Sequence, residues 1–311
     1  MRFPSSRFWP ALAALGLFMG GCSTIKHNAI NQLDDALANG GTTFASDNDP
    51  QLIKDAAPFS LKLMEGLLAE NPGHRGLQLA AASGFTEYSY AFVQQDADEV
   101  EARDLATAQA LRARARGLYL RARDHGLRGL EVTHPKFSAE LRRQPVAAVR
   151  ACTVDDVPLL YWTAASWAAA ISLSKDNPTL IADLPEVQAL IDRALELNEQ
   201  FDHGAIHSFL ITYEMSRAGG SGDPVVRARR HFERAVELSD GQQAAPFVAY
   251  AESVCVQTQD RAQFLTLLDR ALAIDVDARP EWRLVNLVLQ KRARWLRDRV
   301  DELFLPDEKT P

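Results

Sequence analysis

Three cysteines in 311 residues are too few for a disulfide-built scaffold. Positive charge is also in deficit, 34 Lys plus Arg against 41 Asp plus Glu for a net −7. That balance argues against nucleic acid as a partner, because grip on a phosphate backbone comes from clustered basic side chains. Beyond the N-terminus no apolar run approaches the roughly 20 residues a membrane span needs. The most apolar stretch, 157–173, is short and is broken by Thr163 and Ser166. No segment alternates apolar and polar residues long enough to make a strand. Catalytic signatures are missing too. There is no Gly-x-Ser-x-Gly elbow, and Gly219-Gly220-Ser221-Gly222 lacks the Lys-Ser or Lys-Thr and the preceding strand of a phosphate loop, so it reads as a linker. What remains is a chain of ordinary globular composition, 47% hydrophobic and 24% charged, with no cofactor motif and no sign of an enzyme.

The one membrane-directed feature is at the start. Arg2 and Arg7 precede a short apolar run, Phe8 to Met19, that ends in Gly20-Gly21-Cys22-Ser23. A positive flank, a short apolar core and small residues at its end describe an export signal, residues 1–21. The ending resembles a bacterial lipobox, with Met19 where Leu is usual, and so implies lipid attachment at Cys22. Two or three acyl chains, each methylene contributing about 0.8 kcal/mol, would hold the mature protein at a membrane. Ser23 in place of Asp points to the outer membrane by the sorting habit of such lipoproteins. Removal of residues 1–21 takes away Arg2 and Arg7 and no acidic group, leaving −9 on a periplasmic chain. In that oxidising compartment Cys152 and Cys255 could pair, or Cys255 could be a small buried thiol on a helix.

From residue 51 onward the apolar residues recur with a helical period, and the expected class is all-α. Candidate helices run 51–70, 75–94, 98–126, 136–149, 156–174, 184–199, 203–218, 223–239, 244–258, 260–274 and 279–304, punctuated by Asn71-Pro72-Gly73, Asn177-Pro178, Asp223-Pro224 and Arg279-Pro280. Residues 22–50 read as a tether, polar and Gly-rich at 39–50, and 306–311 as a loose tail. Within the helical region, 51–305, one phrase occurs three times: Ile191-Asp192-Arg193-Ala194-Leu195-Glu196-Leu197, Phe232-Glu233-Arg234-Ala235-Val236-Glu237-Leu238 and Leu268-Asp269-Arg270-Ala271-Leu272-Ala273-Ile274. The offsets, 41 and 36 residues, lie near the tetratricopeptide period of about 34. Leu63 to Pro72 resembles a degenerate earlier copy. The expected architecture is a tetratricopeptide-like helical repeat array, an α-α superhelix with divergent terminal helices. The helix at 157–173 has almost no polar face, so neighbours must cover it all round. Trp162 and Trp167 point about 140° apart on it, so at least one is core.

Few residues offer chemistry. His203 and His207 are four apart, a spacing that could place two imidazoles on a metal, but Gly204 stands where a zincin has Glu and no third ligand is evident. Phe85, Tyr88 and Phe92 fall on one helical face, with Tyr90 off it, and this stripe is either core or a ligand surface. Between Arg112 and Arg150 arginines crowd, Arg114 among them. Most read as a solvated face paired with acids such as Glu101 and Asp104, though an arginine fork could grip an anionic head group.

Three blocks resemble a known family: Val157-Pro158-Leu159-Leu160-Tyr161-Trp162 through Lys175-Asp176; Asp202-His203-Gly204-Ala205 with His207 and Gly219-Gly220; and Arg283 to Leu296 followed by Asp301-Glu302-Leu303-Phe304. They resemble the T component of tetratricopeptide-associated TRAP transporters, over nearly the whole mature chain. The resemblance implies a helical repeat fold with a cavity or pore, a periplasmic lipoprotein, association with a TRAP solute-binding protein and, in some members, a homo-trimer. The functional expectation is an accessory subunit offering that cavity to a small organic acid or apolar ligand, with Tyr88, Phe92, Arg114, Tyr161 and Trp162 as candidate binding residues. The competing expectation is an outer-membrane lipoprotein scaffold for envelope assembly that takes no small molecule.

Overall fold

A computed structural model describes residues 41–306 apart from Ala218. The signal, Cys22, most of the tether and the tail lie outside those residues. Among the described residues every regular element is helical and there is no strand. The principal helices are α1 (Gly41–Ala45), α2 (Pro50–Glu70), α3 (Arg75–Tyr88), α4 (Gln95–Val100), α5 (Leu105–Thr133), α6 (Val157–Ser172), α7 (Leu184–Leu197), α8 (Ala205–Glu214), α9 (Pro224–Leu238), α10 (Ala245–Tyr250), α11 (Arg261–Leu272) and α12 (Arg283–Asp298). Short π-helical segments, Ser89–Gln94 and Ala251–Cys255, continue α3 and α10.

Local chemistry sets the boundaries. Asp49 caps α2, accepting from Gln51 N and Leu52 N, and Pro50 opens it with a preset φ. The expected loose stretch 39–50 therefore ends in structure, because α1 docks on α12 and Asp49 starts a helix. The expected single helix 98–126 is two: Asp104 turns its carboxylate onto Thr107 N, ending one helix at Val100 and starting α5. Asp223 caps α9, and Arg227 donates to Ser221 O and Gly222 O at 3.0 and 2.7 Å, clamping the glycine linker against it.

Helices pack mainly on their neighbours in the chain; α3 also meets α6, and α10 meets α8 and α12, so that these helices form one layer with α5, α7, α9 and α11 packed against it. The three repeated phrases lie on α7, α9 and α11, the second helix of each pair, where Ala194, Ala235 and Ala271 are fully or almost fully buried and let neighbours approach. Three apolar clusters follow the chain. The first centres on Leu77, Phe85 and Tyr119, the second on Trp167, Leu190 and Ile206, the third on Phe247, Phe264 and Leu289. Cys152 belongs to the second and Cys255 to the third; both are buried free thiols, so the disulfide alternative is ruled out. Of the two tryptophans on α6, Trp167 is the core residue, with its indole N–H donating to Asp183 at 3.1 Å and Arg123 over its ring.

Glycine permits a tight approach between α5 and α6. A Cβ on Gly126 would sit 2.1 Å from Thr163 Oγ1 and 3.3 Å from the Thr163 Cα. Gly117, on the same helix, has open space. We therefore expect Gly126→Ala to lose stability, overpacking of about 1–3 kcal/mol outweighing a helix-propensity gain of about 1 kcal/mol. Gly117→Ala should gain about 0.5–1 kcal/mol. Urea midpoints moving in the same direction for the two variants would show the approach to be unimportant.

The array closes on itself. Lys291 and Arg292 on α12 pair with Glu99 and Asp98 on α4 at 2.8 and 3.0 Å. Arg283 donates to Ser46 O at 2.7 Å, and α12 also meets α1 and α2. First and last helices thus touch, and the layer begun by α3 and ended by α12 surrounds an internal space.

Candidate functional site

That internal space is found from its walls. Glu87, Tyr90 and Asp202 are accessible to water, Tyr90 with 36% of its surface, and Tyr161 is partly so. Yet protein lies close enough around Glu87, Tyr90, Tyr161 and Asp202 that desolvation is the largest influence on each ionisation. Side chains both accessible and crowded by protein line this interior, the lumen. They come from α3, the π segment after it, α6 and the turn before α8, all parts of one layer.

Each is placed for a local reason. Glu87 is the only charged residue between Arg75 and Asp96, on the α3 face opposite the buried Phe85 and Tyr88. Tyr161 and Trp162 share the accessible stripe of α6 with Ala165 and Ala168, and their rings meet edge to face at 4.9 Å. Tyr161 also lies 5.4 Å from Phe201 and 6.5 Å from Phe209. Asp202 and His203 precede Gly204 in a run of three left-handed residues, φ 45°, 52° and 95°. Non-glycine residues there cost about 1–3 kcal/mol each. A Cβ on Gly204 would come 3.2 Å from the Ala235 Cα, so glycine lets the turn press on α9 and hold Asp202 towards the lumen.

The electrostatics follow from enclosure. Burial, reinforced by Asp202, pushes the Glu87 carboxyl up to about 7. Burial likewise raises Asp202, against the pull of His203. The Tyr161 hydroxyl is raised by burial and then by the two carboxylates. No protein hydrogen bond or ion pair holds Glu87 or Asp202 among the described residues. A group whose pKa is raised on folding contributes stability below its unfolded value of 4.5 and loses it as pH rises through about 7. Glu87→Gln should therefore be more stable than the parent at pH 8, by roughly 1–2 kcal/mol after screening by lumen water, with the gap closing below pH 4.5. A variant less stable at pH 8 would show that Glu87 has a protein partner.

A second cluster lies where the ring closes. Arg292 is buried, pairs with Asp98 and Glu252, and stacks on Trp295 at 4.2 Å. Asp98 also takes Arg112 at 3.0 Å, and Tyr90 lies near enough to feel Glu252, Arg292 and Asp98.

The other expected residues sit elsewhere. Tyr88 is buried, with Phe92 tilted against it at 5.8 Å, in the first apolar cluster; Tyr90, off that stripe, is the one that reaches the lumen. Arg114 is exposed beside the Tyr88 ring, and Arg112, Arg121, Arg123 and Arg143 pair with Glu101, Glu65, Asp124 and Glu140. Arg114, Arg116, Arg128, Arg142 and Arg150 make no ion pair among the described residues, so the stretch is engaged only in part. His203 and His207 do not converge: His203 meets Trp282 edge-on at 4.9 Å, while buried His207 bonds His231 at 2.9 Å. His134, Cys152 and Asp156 bring donor atoms within 4.8 Å of one another. Asp156 is already held by Arg75, His134 Nε2 and Thr153 N, and burial pushes the Cys152 thiol up to about 12, so the group is a neutralised internal lock.

With this geometry in place, sequence comparison is decisive. The family model for the TRAP transporter T-component matches residues 46–304. The chain belongs to that family. It is also 30% identical over 322 residues to an uncharacterised protein of Treponema pallidum (strain Nichols), covering 98% of this chain and all of that protein. This T-component is therefore part of a transport system and not a member of an enzyme family. Among its described residues no helix is long and apolar enough to cross a membrane. Glu87 and Asp202 were absent from the expected site residues. A lone carboxylate in a long uncharged stretch is the one sequence signal that marks Glu87.

Proposed function

We propose that this T-component is a lipid-anchored periplasmic accessory subunit, a tetratricopeptide-like ring whose lumen holds or passes a small molecule on its way to a TRAP solute-binding protein. The observation that supports it is the closed helical array around a wetted, aromatic-lined interior, since ligand sites are concave, largely preformed and mostly apolar with a few polar groups. Repeated helix pairs curved into a ring suit this role, because each pair contacts only its neighbours and the inner faces merge into one surface. The Trp162 and Tyr161 faces belong to that surface. Of the arginines in the 112–150 stretch, Arg112, Arg121, Arg123 and Arg143 have acidic partners of their own, whereas exposed Arg114 has none and keeps its fork for an anionic head group. Attachment through acylated Cys22, to the outer membrane by the Ser23 rule, would keep the ring at the membrane while the tether lets it meet its partner.

The test is co-expression of the full-length chain with the solute-binding protein of a TRAP system from the same genome, followed by membrane fractionation and native mass spectrometry. We expect a membrane-bound complex carrying a small molecule. Cys22→Ser should move the protein to the soluble fraction without abolishing the complex. A protein that captures neither partner nor small molecule would instead be an envelope scaffold.

A further inference from the structure

Two histidines meet across the α8–α9 pair. His207 on α8 is buried, and its Nδ1 lies 2.9 Å from the Nδ1 of half-buried His231 on α9, with the ring centroids 5.1 Å apart. Two neutral imidazoles make such a contact only when one nitrogen donates and the other offers a lone pair. The far nitrogen of His207 decides which. His207 Nε2 is buried without a hydrogen-bond partner, and Glu199 Oε2 stands 3.5 Å from it. A lone pair there would be repelled by the carboxylate, so the proton belongs on Nε2 and the Nδ1 of His207 accepts from His231. Glu199 is itself fixed by Arg234 at 2.5 Å. Around the pair Arg217, Arg227 and Arg234 are each tied to carboxylates, which outnumber them four to three, so no uncompensated cation stands in the way of another.

We propose that His207 and His231 hold a zinc-type divalent transition-metal ion through their two Nδ1 atoms, clipping α8 to α9. An ion about 2.0–2.1 Å from each Nδ1 sits about 3.2 Å from each ring centre, and centres 5.1 Å apart then subtend about 105° at it, close to tetrahedral. The rings therefore turn in place, and the helices need not separate. His207 keeps its Nε2–H towards Glu199, the carboxylate–histidine–metal arrangement that orients a ligand and raises its basicity. His231 moves its proton from Nδ1 to Nε2, so both ligands remain neutral imidazoles and no proton is released. Among the described residues no third His, Cys, Asp or Glu joins the pair, so water fills the remaining positions and the ion is exchangeable. Imidazole nitrogen suits zinc, nickel and copper, whereas magnesium and calcium seek oxygen.

Titration calorimetry of the chelator-treated full-length protein with Zn²⁺, and with Mg²⁺ as the oxygen-seeking control, tests this. One Zn²⁺ per chain should bind and Mg²⁺ should not, and zinc should raise the thermal midpoint by a few degrees. His231→Gln, at the half-buried partner, should weaken zinc about tenfold or more. Its metal-free midpoint should stay near that of the parent, so loss of binding is not loss of fold. Cys152→Ala should bind zinc as the parent does, which separates this site from the His134, Cys152 and Asp156 group. Zinc held equally by His231→Gln, or lost in Cys152→Ala instead, would overturn the proposal. Absence of zinc binding by the parent would overturn it as well and leave the pair a hydrogen bond between two helices. Neither result bears on the reading of the lumen.

Discussion

Arg292→Met is expected to lose about 3–5 kcal/mol, because removing one member of a buried ionic cluster strands the others. Glu252 would keep no cation of its own, while Asp98 would still have Arg112. Methionine retains much of the stem that packs on Trp295, so the loss is of charge more than of volume. Arg292 joins α12 to α4, and the loss should therefore appear as ring opening: amide protons of α4 and α12 should lose protection together in hydrogen exchange. Adding Glu252→Gln to Arg292→Met should recover part of the stability. If the single variant unfolds within about 1 kcal/mol of the parent, the ring is closed by packing of α12 on α1 and α2 and not by this cluster.

The second large effect separates two tryptophans five residues apart. Trp167→Ala should cost about 3–5 kcal/mol, the range for deleting a buried aromatic, because the cavity left between α5, α6 and α7 cannot collapse and Asp183 loses its donor. Trp162→Ala, on the accessible stripe, should cost less than about 1.5 kcal/mol. Thermal unfolding of the two variants measures the difference. Equal losses would mean that Trp162 is covered, and the lumen would not extend along that face of α6.

Helices were legible because each carries its own punctuation. Asn71-Pro72, Asp223-Pro224 and Arg279-Pro280 mark ends by local chemistry alone, and the repeated Arg-Ala phrase marks the outer layer because the small residue must recur wherever helices touch closely. The break at Val100 was not visible, since an aspartate inside a polar run, Asp104, can cap a helix or simply solvate it. The aromatic stripe shows a different limit. Period says that Phe85, Tyr88 and Phe92 share a face and that Tyr90 does not, and this holds; it does not say which face is wet. In a ring both sides of a helix meet protein, one as core and the other as lumen, and apolar rings suit either.

Sequence alone determined that this protein is all-helical, repetitive, acidic and built without catalytic motifs, because those properties depend on residues a few positions apart. Asn286 and Gln290 show what it could not determine: buried on α12, they serve backbone groups of Gln242, Ala244, Ala271 and Ile274, partners of no local pattern. Tertiary structure alone decided that Lys291 and Arg292 reach Glu99 and Asp98, nearly 200 residues away, and so that the array closes. The fold also brings Glu87 within range of Asp202, far along the chain, and crowds both carboxyls with protein. Charge in a sequence has no sign of cost until the fold decides how much water each group keeps.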